Sequence, residues 1–412
     1  METAEELNML EVIEKIPIDG LLGGLLKLGL LIVESYRDPT SAASVVLDEA
    51  EKRKEGLKAA YTGVRLRDRE IQQMSGILEY FNILISNQEA YITEIVIRIL
   101  EKVRDDIEIQ KKLANDLIAS INSIEIKKDS IILGKIFKEG SRGKLLGLVP
   151  DIFKQPEFHE YKYKYMTPSA AISGKSQIYM DPPWFFILSL GYIMSFLGKS
   201  GTVNYYMLPD IEKIITLGAR KAIEEILESI AIFENVTSKV LSEYSYAYSS
   251  KELLEMNIAY KLASGRVEFS REIPFKIFAI EKIGNAYVVK EIFEIDIYDI
   301  YTYFKELLAY LRESGKEDIK FIEILLARAY SEIRGGKGDL EVVALPFMRL
   351  LYAAIKGRDY RILLDALYRL QRIEGQKYYD QMSKKGRKKP TILLSKRQIL
   401  ALIYAIVKRH EV

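Results

Sequence analysis

Polar and apolar positions along the chain mostly follow helical spacing, and one stretch departs from it. From Trp184 to Leu197 polar side chains are nearly absent, and a Pro182-Pro183 pair opens the run. Crossing a bilayer takes about twenty apolar residues, so this run is too short to span one and reads as a helix buried on all sides. A Lys199-Ser200-Gly201 turn and the segment Val203 to Leu208 follow it. Pro209-Asp210 then opens a long amphipathic helix, in which Ile211, Ile215, Ala219, Ala222, Ile226, Ile230 and Phe233 recur at three and four residues.

Ahead of this centre the pattern is helical. Thr3 and Glu6 match a capping box, Leu7, Leu10, Ile13 and Ile16 form the face behind it, and Pro17 ends it. Gly20 to Val33 is rich in glycine and leucine. It lacks the polar face of a membrane-surface helix and reads as a second buried helix whose small residues allow close packing. Helices are also predicted over Thr40 to Ala60 and Val64 to Ser86. The longest is predicted over Gln88 to about Ile124, although its stripe slips between Ile107 and Leu113.

Glycine and proline near 140 to 157 mark a boundary. Beyond it Tyr161, Tyr163 and Tyr165 alternate with Lys162 and Lys164 as in a half-exposed strand. Val267-Phe269, Phe275-Ile277, Tyr287-Val289 and Ile292-Ile297 are further strand candidates, with Gly284-Asn285 as a hairpin turn. Helices return over Tyr298–Arg312, Glu317–Ile333, Leu340–Ile355, Tyr360–Ile373 and Ser395–Lys408. The fold class expected is α+β and predominantly α-helical. It comprises a helical N-terminal region (1–150), a central mixed region with a small antiparallel sheet (151–299) and a C-terminal helical bundle with a basic tail (300–412).

Composition narrows the chemistry. The chain has no cysteine and only two histidines, His159 and His410, so disulfides, thiolate nucleophiles, cysteine-bound zinc and multi-histidine metal sites are excluded within it. Neither histidine precedes an aspartate, and no arginine stands four to six residues before His159. Gly174-Lys175-Ser176 and Gly198-Lys199-Ser200 lack the earlier glycine of a phosphate-binding loop, since Ser169 and Ile193 occupy those positions. No catalytic residue, metal or cofactor is expected, and the protein is read as a non-enzyme. Abundant Lys, Glu, Arg, Ile and Tyr suit a hot environment. The lack of a signal peptide or spanning segment leads to an expectation of a cytoplasmic protein without stable membrane insertion.

Net charge is only +2, yet it is unevenly placed. From Gly375 to Val412 ten Lys or Arg face two acids, a local net of +8. Lys384, Lys385, Arg387, Lys388, Lys389, Lys396 and Arg397 are therefore the leading candidates for phosphate contact. Arg142 and Lys144, in a glycine-flanked segment, and Lys162 and Lys164, between tyrosines, are lesser ones. The competing readings are a helical scaffold or protein-interaction factor without nucleic-acid binding, and a membrane-peripheral protein.

The order of parts resembles a known family. The Gly/Leu-rich early helix, Gly174-Lys175-Ser176 leading to Pro182-Pro183-Trp184, the apolar helix with Gly191-Tyr192, and Tyr205-Tyr206-Met207-Leu208-Pro209 are similar to the large subunit of archaeal type I-A CRISPR effector complexes. The resemblance centres on residues 170 to 240. It implies a non-catalytic, Cascade-like large subunit in antiviral defence that works with guide RNA, target DNA and other subunits of a multi-protein complex. Such a subunit helps recognise a short flanking motif and supports target binding. Some related large subunits carry zinc-binding cysteines, a feature this chain does not share.

Overall fold

A computed structural model describes residues 9–18, 20–52, 65–85, 91–127, 130–134, 147–148, 177–200, 202–211, 230–232, 236–237, 239–240, 250–266, 275–283, 286–313, 320–334, 343–383 and 393–408. The chain forms two compact units, 1–238 with 274–294, and 239–273 with 295–412. Small sheets sit amid a majority of helix, the α+β, predominantly helical class that the hydrophobic pattern predicts.

The described elements begin with α1 (Met9–Lys15), α2 (Gly20–Tyr36), α3 (Pro39–Lys52), α4 (Asp68–Gln73), α5 (Ser75–Tyr80), α6 (Ile92–Asp105) and α7 (Ile107–Ile121). Strands β1 (Ile124–Ile126), β2 (Ser130–Leu133), β3 (Gly147–Leu148) and β4 (Gln177–Met180) lead to α8 (Pro182–Ser195). Then come β5 (Phe196–Ser200), β6 (Val203–Pro209), α9 (Lys251–Ser264), β7 (Phe275–Ile283) and β8 (Ala286–Ile295). The chain continues as α10 (Tyr298–Glu313), α11 (Phe321–Arg334), α12 (Ala344–Gly357), α13 (Tyr360–Ser383) and α14 (Lys396–Val407).

In the first unit α8 is buried at every position. Asp181 starts it, accepting the Trp184 backbone N–H at 3.0 Å, while the two prolines fill positions whose N–H groups have no helical partner. The Asp181 carboxylate is itself fully buried and also accepts the Ser120 hydroxyl. The Trp184 indole N–H donates to the Ser120 carbonyl at 3.1 Å. These bonds fix α8 to the end of α7.

Against α8 lies α2, and glycine sets their separation. A Cβ on Gly29 would overlap the Ile187 carbonyl, and one on Gly191 would overlap the Leu25 carbonyl. The two backbones therefore meet directly, with all of Leu21 to Val33 except Gly24 and Lys27 buried around the contact. The side-chain hydroxyls of Ser189 and Tyr192 on α8 are also satisfied. Ser189 donates to the Phe185 carbonyl at 2.8 Å, and the Tyr192 hydroxyl shares a 3.0 Å hydrogen bond with Thr93, burial pushing its pKa up to about 12.

The structure corrects several predicted boundaries. The helix expected from Gln88 to Ile124 is two helices, α6 and α7. Asp106 leaves the helical region (φ −108°, ψ 105°) and accepts the N–H groups of Glu108 and Ile109, which restarts the helix where the stripe slips. The helix expected over Val64 to Ser86 is the short pair α4 and α5, joined through Met74. Phe196 and Leu197 belong to a strand, because the backbone turns extended at Phe196 (φ −75°, ψ 114°).

Two four-stranded sheets complete the picture, ordered β1-β2-β4-β3 and β5-β6-β7-β8. In the first, β2 runs parallel to β4, with Ile131 opposite Ile178, and the outer pairs are antiparallel. In the second, β6 is antiparallel to β5 and β7, with Tyr205 opposite Ala279, and is buried at all seven positions. Strands β7 and β8 are neighbours, as the predicted hairpin requires. The Tyr161–Tyr165 strand, the Val267–Phe269 strand and most of the helix after Pro209 lie outside the described residues.

The second unit is a helical bundle around α9, which buries Leu253, Leu254, Met256, Ile258, Ala259, Tyr260 and Leu262. Glu255, 1 % exposed, points into this core. It accepts the Tyr352 hydroxyl at 2.7 Å and the Asp296 N–H at 3.2 Å, with the Lys251 ammonium 3.8 Å away. Lys356 in turn holds the Asp296 carboxylate and carbonyl, each at 2.8 Å. The Tyr303 hydroxyl donates to the Leu402 carbonyl at 3.1 Å, tying α10 to α14. No described helix is long and apolar enough to cross a membrane.

Trp184 is the sole tryptophan, so its emission reports unfolding of the first unit alone. Gly29→Ala and Gly191→Ala each drive a methyl into a backbone carbonyl and are expected to cost about 1–3 kcal/mol or more. Urea unfolding followed by Trp184 fluorescence checks this, and an unchanged midpoint refutes it.

Burial raises the Glu255 carboxyl pKa above its ordinary value. The contribution tied to that shift is thus fully present below the unfolded pKa and is lost as pH rises through the folded one. Glu255→Gln is expected to remove this dependence, so its stability relative to wild type improves from about pH 4 to pH 8. Urea unfolding followed by far-ultraviolet circular dichroism across that range measures the difference.

Candidate nucleic-acid interface

Helix α13 begins at a tight reversal after α12. Arg358 adopts the left-handed conformation (φ 51°), and the Asp359 N–H reaches back to the Ala354 carbonyl at 3.0 Å. The Asp359 carboxylate then accepts the Arg361 N–H at 2.8 Å, capping the new helix. Twenty-four residues follow, ten beyond the Ile373 at which the apolar spacing ends.

The inward side of α13 carries Leu363, Ala366, Leu367, Leu370 and Glu374, all buried. Glu374 is fully enclosed and answered by cations. Arg328 donates to both its oxygens at 3.0 and 3.3 Å, and the Lys377 ammonium lies 3.4 Å away. Arg328 also lies 3.4 Å from Glu332, whose carboxylate accepts the N–H groups of Val343, Ala344 and Leu345 at 2.7–3.2 Å. One charged chain thus joins α11, the start of α12 and the middle of α13. Charge-assisted bonds of this kind are the strong ones, and removing one partner of a buried pair costs about 3–5 kcal/mol.

The outward side has a different character. Projected at 3.6 residues per turn, Tyr360, Arg361, Leu364, Tyr368, Gln371, Arg372, Gly375, Tyr378, Tyr379 and Met382 fall within about 120° of one face. Tyr368 is 65 % exposed, Tyr379 75 % and Met382 58 %. The side chains of Arg361 and Arg372 are exposed and pair with no described acid. No Asp or Glu falls on this face. Asp365 is turned aside and paired with Arg369 at 2.8 Å, and Glu374 is consumed in the core.

Among the predicted phosphate contacts, Lys396 and Arg397 are described. Both stand in the first turn of α14, which Ser395 and Gln398 close with a reciprocal capping box. Lys396 is exposed, whereas Arg397 is half-buried and already engaged. Lys384, Lys385, Arg387, Lys388 and Lys389 follow directly on the C-terminal end of α13 in sequence and lie outside the described residues. Arg142, Lys144, Lys162 and Lys164 also lie outside them. Sequence reasoning missed Tyr368, Tyr378, Tyr379, Arg361 and Arg372. The signal was there, since helical spacing carried past Ile373 aligns them.

A concavity of about 680 Å³ lies in the first unit beside Leu84, Arg98, Lys102, Asp105 and Ile107. Arg98 is committed there to Glu94 and to the Leu84 carbonyl, and Arg104 to Asp105. Its charges are of both signs, and it holds no grouping of three or more described His, Asp or Glu suited to a metal ion.

No curated protein and no solved structure matches the chain. The model of a family described as CRISPR-associated protein (Cas_Csx9) matches residues 85–388. That span takes in α6 through α13 and the first four cations of the basic run, and the chain belongs to this CRISPR-associated family.

Proposed function

We propose that this chain is a non-catalytic, nucleic-acid-binding subunit of a type I CRISPR RNA-guided complex, in the position of the large subunit. Its partners are guide RNA, target DNA and companion subunits, and it contributes to recognition of the flanking motif. The observation that carries the reading is the sorting of charge on α13. An exposed face free of acid continues in sequence into Lys384-Lys385-Gly386-Arg387-Lys388-Lys389, while Asp365 is paired with Arg369, Glu374 is buried against Arg328, and the exposed Asp380 projects off that face. Such a surface attracts phosphate without reading sequence, and base pairing to the guide supplies the sequence information. Membership of a CRISPR-associated family supplies the biological setting.

Changing Lys384, Lys385, Arg387, Lys388 and Lys389 together to alanine is expected to weaken binding equally across target sequences. The slope of log affinity against log salt should fall by roughly 0.9 per lost phosphate contact on duplex, or 0.7 on single strands. Anisotropy titrations with labelled oligonucleotides at several salt concentrations provide the measurement. A wild-type chain that binds no nucleic acid at low salt, alone or with its companion subunits, favours a helical scaffold instead.

A further inference from the structure

We infer that the tyrosine face of α13 is a stacking platform for unpaired bases, so that the site takes single-stranded nucleic acid in preference to duplex. The inference rests on the nucleic-acid reading above and adds the strand state of the ligand. Among the described tyrosines outside α13, Tyr192, Tyr205, Tyr206, Tyr260 and Tyr303 are fully buried, and Tyr298 and Tyr404 are singly exposed. On α13 the same residue is used in the opposite way, with Tyr360, Tyr368, Tyr378 and Tyr379 all at least 40 % exposed. Their shared face is flanked by the exposed guanidinium groups of Arg361 and Arg372.

Planar rings sharing a face with arginines, on a helix followed in sequence by a cationic run, match the chemistry of a polyanion that carries flat apolar groups. Every base has a π-face, but in a duplex those faces are covered by neighbouring pairs. Only unpaired bases can lie on a tyrosine ring, while the cations hold the backbone. Spacing agrees with this. Tyr368 and Tyr379 are eleven residues apart, about 16 Å along the helix, and Gly375 between them leaves an open surface, since a Cβ there would meet nothing within 4 Å. A strand lying along the helix thus meets more than one ring. Charge complementarity decides the occupant, because a protein partner chosen for apolar contact alone needs neither the arginines nor the exclusion of acid from the face.

The test uses the full chain, a labelled oligothymidylate and a duplex of the same length. Wild type is expected to bind the single strand more tightly. The double variant Tyr368→Ala, Tyr379→Ala should lose about tenfold per tyrosine on the single strand, with little change on duplex and an unchanged salt slope. The variant Tyr368→Phe, Tyr379→Phe should retain binding. Both positions are exposed, and circular dichroism verifies that the variants remain folded. Equal affinity for the two ligands, with the alanine variant neutral and the Lys384–Lys389 variant still defective, overturns the platform while leaving the proposed function standing. Failure of wild type to bind either ligand overturns the proposed function itself. Unaltered oligonucleotide affinity with a changed sedimentation coefficient in the alanine variant identifies the face as a protein contact and also overturns the platform.

Discussion

Backbone-to-backbone contact between α2 and α8 is the constraint on which the first unit depends. Two helices buried on nearly every side cannot be placed by amphipathicity, because neither has a polar face to orient it. Glycine orients them instead. Gly29 opposite the Ile187 carbonyl and Gly191 opposite the Leu25 carbonyl leave one close approach, and any rotation of either helix presents a side chain where only hydrogen fits. Asp181 fixes the remaining freedom by binding the start of α8 to Ser120 at the end of α7. Packing so dense is intolerant of added volume, which makes this pair a frame with little capacity to move.

The second unit solves a different problem, that of holding a long helix whose outer face is not covered. Only one side of α13 is anchored by apolar burial, and Arg328 adds a polar anchor by joining Glu374 to Glu332. This arrangement does more than stabilise. It draws Glu374 into the core, and with Asp365 turned to Arg369 the guanidinium groups of Arg361 and Arg372 form no ion pair with a described acid. Fold and electrostatics are thus one fact in this helix.

Much of this architecture was legible in the sequence, and the exceptions have physical causes. The buried helix after Pro182-Pro183 followed from an unbroken apolar run, and the bundle helices from Tyr298 onward from apolar spacing, since burial is what both patterns encode. Helix α9 escaped notice because Glu255, Asn257 and Lys261 interrupt its apolar pattern, and only a three-dimensional partner such as Tyr352 makes a buried Glu255 tolerable. Strands β1 to β4 span two to four residues each, too few for alternation to emerge. Basic charge near the C-terminus was plain to count, yet the tyrosine face was not. Its residues read as an unremarkable scatter until α13 is known to continue to Ser383.

Exposed tyrosines, together with Leu364 and Met382, form an apolar patch, and such patches on a free chain promote self-association. What offsets this is the same feature that suits the face to a polyanion. Arg361, Arg372 and the run from Lys384 to Lys389 give neighbouring copies like charge, and the face offers no carboxylate with which another copy's arginines could pair. Repulsion between copies and attraction to phosphate therefore come from the same side chains. Screening by salt weakens both together, whereas stacking on the rings is far less affected. The two halves of the face are separable in solution for that reason, one by ionic strength and the other by removing rings.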